Sequence, residues 1–139
     1  MVQPGIRIGE AAARADASVR TLRYYEEVGL LEPSSRSSGG ERRYSTTDIE
    51  RVLRIRELKS LMGFNLDEIK SILAAEDELA VLKEEVNSGG VESERRRQIR
   101  LEAIRILEGV RERIAVQAGR LKVFDDEIAG RIERIQAKL

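Results

Sequence analysis

Neither cysteine nor histidine occurs among the 139 residues. Their joint absence removes thiolate nucleophiles, imidazole bases and the usual zinc and iron–sulfur ligands, and with them most enzyme mechanisms and most metal or thiol-redox sensing. It also removes the disulfides on which small secreted scaffolds depend. Long apolar runs are missing too, since none approaches the ~18 residues of a membrane span. At 41% hydrophobic and 36% charged residues the chain is nonetheless too apolar for disorder. The opening MVQPGIRIGE lacks the apolar stretch and small-residue cleavage site of a signal peptide. A soluble, cytoplasmic protein with no membrane partner is expected.

An excess of either charge is lacking as well. The 25 basic and 25 acidic residues cancel, and the isoelectric point of about 6.4 lies well below the value above ~9 of a strongly basic DNA-binding domain. Residues 1–75 hold 12 Lys/Arg against 11 Asp/Glu, and residues 76–139 hold 13 against 14. Any nucleic-acid surface must therefore come from the placement of a few side chains. The acidic residues lie mostly at helical spacings beside Lys or Arg, the pattern of solvated helix faces, so neither an enzyme nor a cofactor is implied.

The length suits one ordinary domain with an appendage. The first helix is expected over residues 8–15, where Ile8, Ala11, Ala12 and Ala15 follow helical spacing. Asp16 and Ala17 interrupt it. Ser18 is a good N-cap for a second helix, SVRTLRYYEEVG, closed by Gly29. Two short helices joined by a tight turn form a helix-turn-helix candidate. At 100° per residue, Val19 and Leu22 fall on one side of the second helix. Arg20 and Tyr24 fall on the other, flanked by Thr21 and Arg23. Such a donor-rich face can reach phosphates and base edges from a major groove; an ordinary solvated face has the same composition.

After Pro33, the stretch SSRSSGGERRYS reads as a β-hairpin. Gly39-Gly40 supply the turn, and Arg36, Arg42, Arg43 and Tyr44 flank it. A basic hairpin beside a helix-turn-helix is a wing, suited to gripping the DNA backbone. Thr47 with Glu50 predicts a capping box for a third helix, with Ile49, Val52, Leu53, Leu58, Leu61 and Met62 as its core face. Gly63 ends it. Asn65 with Glu68 repeats the capping logic for a fourth helix with Leu66, Ile69, Ile72 and Leu73 inward. These helices are expected to close the domain of residues 1–75, with Lys59 near their junction within reach of a phosphate.

Residues 76–91 read as a short helix, EDELAVLKEEV, and a linker, Asn87-Ser88-Gly89-Gly90, taken as the domain boundary. Residues 92–139 then form one helix-forming segment. Leu107, Ile114, Leu121, Ile128 and Ile135 recur every seven residues, with Val110, Ala118, Phe124, Ile132 and Leu139 three or four after them. This a/d-type repeat predicts a coiled coil. A continuous helix here would extend about 70 Å. Its single apolar stripe needs a partner, either a second copy in a two-fold homodimer or the same chain, folded back near Gly119 or Gly130.

The strings IGEAAARADASVRTLRYYEEVGLLEP, GGERRYS and TTDIERVLRIRELKSLMGFNLDEIKSIL, followed by a long helix, together resemble the MerR family of bacterial transcription regulators. The resemblance implies a mainly α fold: a winged helix-turn-helix over residues 6–73, and a long helix that pairs with its copy in an antiparallel coiled coil. It further implies double-stranded promoter DNA as ligand, RNA polymerase as a partner at the promoter, and binding of a pseudo-palindrome that the dimer bends and untwists. Carried over by position, the DNA contacts fall on Ser18, Arg20, Thr21, Arg23, Tyr24 and Tyr25 of the second helix and on Arg36, Arg42, Arg43 and Tyr44 of the wing. Tyr25 sits between the faces of the helix. Metal-sensing members carry cysteines near the end of the dimer helix, and multidrug-sensing members a further domain after it; neither trigger is expected here. A small ligand, a protein partner and action without an effector stay open. So does a different class of function, a coiled-coil interaction module or architectural DNA-binding protein of low specificity.

Overall fold

The computed structural model describes residues 5–33 and 35–139. Residues 1–4, read above for a leader, and Ser34, in the stretch ahead of the hairpin, lie outside them. The chain divides into two compact units, Met1–Asn65 and Leu66–Leu139.

In the first unit, β1 (Ile6–Arg7) leads directly into α1 (Ile8–Arg14), and α2 (Val19–Glu27) follows after four residues. The turn between the helices places Asp16 at φ 51°, the left-handed region that a non-glycine residue seldom enters. It is stapled from a distance: the Arg56 guanidinium donates to the carbonyls of Ala15, at 2.7 Å, and of Asp16. Ser18 caps α2, its Oγ accepting from the Thr21 amide at 3.0 Å. Gly29 at φ 80° terminates it, the amides of Leu30 and Leu31 turning back to the Tyr25 carbonyl.

A hairpin of β2 (Ser35–Arg36) and β3 (Arg42–Tyr44) follows, and β1 pairs with the free side of β3. The sheet is antiparallel, in the order β1-β3-β2. The hairpin was legible in the sequence; the strand β1, only two residues long, was not.

Next come α3 (Thr46–Arg56) and a π-helical turn over Glu57–Leu61. The capping box that opens α3 lies two residues before the predicted one. Ser45 Oγ accepts from the Asp48 amide at 3.1 Å, and the Asp48 carboxylate accepts from the Ser45 amide at 2.8 Å. The core face is corrected too. Ile49, Val52, Ile55 and Leu58 are buried, whereas Leu53, Leu61 and Met62 are 44%, 81% and 47% exposed. In the π turn the Met62 amide reaches back five residues to the Glu57 carbonyl. The extra residue per turn rotates positions 61 and 62 off the face that a regular helix would give them. Leu22, Tyr25, Leu30, Tyr44 and Phe64 complete this core, each large apolar chain contributing about 1.5–3 kcal/mol by burial.

The second unit is an antiparallel helical hairpin of α4 (Leu66–Asn87) and α5 (Ser93–Gln136). The short separate helix expected after Glu76 does not form, because α4 runs unbroken from Leu66 through that region. The break at Asn87–Gly90 is instead the hairpin turn, with Gly89 and Gly90 at φ 84° and 72°. Two ion pairs tie the arms. Near the turn, Arg95 donates from Nε and Nη2 to the Glu85 carboxylate at 2.6 and 2.8 Å. Farther along, Arg120 meets Glu68 at 2.9 Å. Glu68, expected as a cap, serves as a cross-helix anchor. Helix α5 passes straight through Gly109, Gly119 and Gly130, so the chain does not fold back at either of the two glycines considered for that role.

Candidate nucleic-acid interface

The second helix sorts its side chains by wheel position. Leu22 and Tyr25 point into the core, and Arg20, Arg23 and Tyr24 are exposed, with Thr21 half-buried beside them. Ser18 is exposed, and its hydroxyl, besides capping the helix, lies 2.9 Å from Thr21 Oγ1. Tyr25, ambiguous on the wheel, is only 3% exposed. Burial raises its phenolic pKa, with the nearby Arg56 charge opposing. Its side chain is therefore a core element, a correction to its place among the DNA contacts.

Tyr44 needs the same correction. Strand register points it inward at 1% exposure, where its hydroxyl donates to the Glu26 carboxylate. Burial first, and then that hydrogen bond, push its pKa well above the ordinary phenol value. A sequence pattern placing Arg-Arg-Tyr on a hairpin cannot say which faces inward, because the answer depends on which strand pairs with β3.

The three wing arginines differ in their engagement. Arg36 is exposed and donates to the Gly40 carbonyl at 3.2 Å across the hairpin turn, in which Gly40 adopts φ 82°. Arg42 is half-buried, its Nε 2.5 Å from Glu26 Oε2. Arg43 pairs through Nη2 with Glu41 at 3.1 Å. A cleft lined by Arg23 of α2 and by Arg36 and Arg42 of the hairpin joins the two elements. Helix and wing therefore present one surface with several guanidinium groups, although the charge of the chain is balanced. Lys59 is exposed on the π turn and is not among the residues that line this cleft.

Three residues that organise the surface were missed by sequence reasoning. Glu26 bonds both Tyr44 and Arg42, Arg51 donates to the Leu30 carbonyl at 2.7 Å, and Arg56 staples the helix-turn-helix turn. No periodicity marks them, because each acts on a segment remote in sequence.

On α5 the predicted seam is open. Leu107, Ile114, Leu121, Phe124 and Ile128 are 37–62% exposed, Ala118 is exposed, and Val110 is half-buried. Among the described residues, no helix is long and apolar enough to cross a membrane, and no group of three or more metal-ligating side chains is assembled.

Two helices with a stapled turn, followed by a basic antiparallel hairpin, define a winged helix-turn-helix protein. Residues 6–76 match the family described as MerR HTH family regulatory protein. The chain belongs to this MerR family, whose members are transcriptional regulators and not enzymes. Among its relatives, the HTH-type transcriptional activator TipA of Streptomyces coelicolor is 46% identical over 66 residues, 48% of this chain and 26% of TipA. The HTH-type transcriptional regulator YfmP of Bacillus subtilis is 34% identical over 79 residues, 57% of this chain and 56% of YfmP. ZntR of Escherichia coli is 40% identical over 68 residues, 49% of this chain and 48% of ZntR. The chain thus spans between about a quarter and just over half of these relatives. Among solved structures, the lead(II) complex of the transcription regulator PbrR691 from Ralstonia metallidurans superposes with TM-score 0.54 at 26% identity, over 90% of this chain and 84% of that one. HiNmlR, a MerR family regulator lacking the sensor domain and bound to promoter DNA, gives 0.51 at 23% identity, over 95% and 90%.

Proposed function

We propose that this protein binds a pseudo-palindromic promoter element as a homodimer, one winged helix-turn-helix per half-site. The observation that carries the reading is the cleft shared by Arg23 on α2 with Arg36 and Arg42 on the hairpin, beside the exposed Arg20 and Tyr24 of α2, which offers a groove-sized helix and a flanking clamp at once. Ser18, Thr21, Arg43 and Lys59 are the further contacts, and Tyr25 and Tyr44 act from the core by holding the surface in shape. That HiNmlR is described as bound to promoter DNA supports the same use of this fold.

A dimer supplies two such surfaces, and the open seam of α5 is where the copies pair. Leu107, Val110, Ile114, Ala118, Leu121, Phe124 and Ile128 are the pairing residues, since a stripe of exposed aliphatic and aromatic chains on a 44-residue helix is buried by an identical stripe. Two half-sites gripped through a rigid coil oblige the DNA between them to bend and untwist, which brings misaligned promoter elements into register for RNA polymerase. The proposed organisation is a DNA-binding winged helix-turn-helix within Met1–Asn65 and a dimerising helical hairpin within Leu66–Leu139, whose longer arm α5 carries the seam.

The test is to select duplexes from a random pool and footprint the winner. Protection of one inverted repeat, and a change in end-to-end energy transfer on binding, are expected. Diffuse protection overturns the specific reading in favour of an architectural protein, for which the balanced charge of the chain is the supporting observation. Sedimentation supplies the second arm. The wild type runs as a dimer, and Leu121→Glu with Phe124→Glu runs as a monomer that binds duplex more weakly.

A further inference from the structure

In an antiparallel pair, directly opposed residues project from the same face of the sheet. The register of β1 with β3 sets Arg7 directly across from Arg43. Ile6 opposes Tyr44 one step along, so the Arg7–Arg43 pair lies on the face turned away from the Tyr44 core. Like charges so placed repel and weaken the sheet, and the carboxylates nearby compensate them only in part. Glu41 occupies Arg43 Nη2 alone, and Arg43 Nη1 is buried with no hydrogen-bond partner. Glu10, the other carboxylate lining this cleft, is held by Arg14 at 2.7 Å. Arg23 of α2 enters the same cleft. Gly5 lies so close that a Cβ there would stand 2.5 Å from Arg43 Cβ, which holds the Arg43 stem in place.

A buried donor without an acceptor and a pair of cations compensated only in part both raise the free energy of the unbound protein. Both are relieved by one anion, and planar guanidinium forks match the paired oxygens of a phosphate. We propose that Arg7 and Arg43, with Arg23, form a phosphodiester site, and that Arg7 grips the DNA backbone beside the wing. The assignment rests on the DNA-binding reading above and adds to it a residue outside both the recognition helix and the hairpin. The strain is stored in the free protein and discharged on the duplex.

Its signature is a split in sign. In the free full-length chain, Arg7→Ala raises Tm, because the repulsion is gone. On a 30-bp duplex selected by the wild type, the same substitution lowers affinity and makes log Kobs against log salt shallower by about one unit per bound copy. Arg7→Lys keeps the charge, restoring the salt slope while leaving Tm low. Arg97→Ala, on α5, leaves the slope unchanged. Unchanged slope and affinity for Arg7→Ala on a duplex that the wild type binds overturn this assignment alone; failure of the wild type to bind any duplex overturns the DNA reading with it. A fall in both Tm and affinity marks Arg7 as merely structural. If inorganic phosphate raises the wild-type Tm through Arg7 while duplex binding ignores the substitution, the pair takes a free anion and the phosphodiester assignment fails.

Discussion

The carboxylate of Glu26, near the end of α2, accepts a hydrogen bond from the hydroxyl of Tyr44 on β3, eighteen residues away. Its other oxygen faces Arg42 Nε at 2.5 Å. One side chain, 11% exposed, therefore fixes the recognition helix to the wing from both ends of the three-residue strand. The relative placement of α2 and the hairpin depends on this bond and on the packing of the Tyr44 ring.

Removing only the hydroxyl, in Tyr44→Phe, keeps the packing and is expected to cost about 0.5–1.5 kcal/mol in urea unfolding. Glu26→Ala strands a buried phenol and a half-buried guanidinium and costs about 1–3 kcal/mol. On the proposed DNA-binding reading, duplex affinity is expected to fall with it, because Glu26 holds α2 to the hairpin. Equal midpoints for Tyr44→Phe and wild type would show that the bond contributes nothing.

The pH dependence has a definite sign. A phenol whose pKa is raised by folding, as for Tyr44 and Tyr25, contributes stability that is fully present below the ordinary value near ~10 and is lost as pH rises beyond it. Stability of the wild type should decline above about pH 10 more steeply than that of Tyr44→Phe. Parallel curves for the two proteins exclude Tyr44 as the titrating group. At the acid end, Arg95 holds the Glu85 carboxyl below its usual range by hydrogen bonding. Its contribution is present above the ordinary carboxylate pKa and disappears as pH falls through the lowered one, and Glu85→Gln flattens that limb.

The start of α3 offers a test of register. Ser45→Ala removes the observed cap and is expected to cost about 1 kcal/mol. Thr47→Ala, at the position that local pattern favours, should stay within about 0.5 kcal/mol of wild type. The reverse order in thermal or chemical denaturation would place the cap at Thr47.

The same helix separates core from surface in a way that a wheel does not. Ile55→Ala, at 0% exposure, should cost about 2–5 kcal/mol. Leu61→Ala, at 81% exposure, should cost less than about 0.5 kcal/mol. Comparable losses in the two variants would mean that the π turn does not persist in solution.

Much of this fold was legible because its signals are short-ranged. Ser18 as a cap, Gly29 as a stop, Gly39-Gly40 as a turn and the seven-residue recurrence from Leu107 onward each act within one or two helical turns, so the residues themselves carry the information. The exposed faces of α2 and α5 follow from the same periodicity. The family strings added the order of these elements and the expectation of DNA.

What the chain alone determined, then, was which segments become helices or a hairpin, and which single face of each is apolar. The tertiary structure decided the rest. The pairing of β1 with β3 turned Tyr44 inward and set Arg7 against Arg43. The π turn moved Leu61 and Met62 to the surface, and α4 folded back on α5 through Glu85–Arg95 and Glu68–Arg120. The strand pairing and the Glu68–Arg120 contact join residues far apart in sequence, so their free energy comes from burial and pairing across a gap that no local window spans. The π turn is short-ranged, from Met62 to Glu57, but no apolar period announces it.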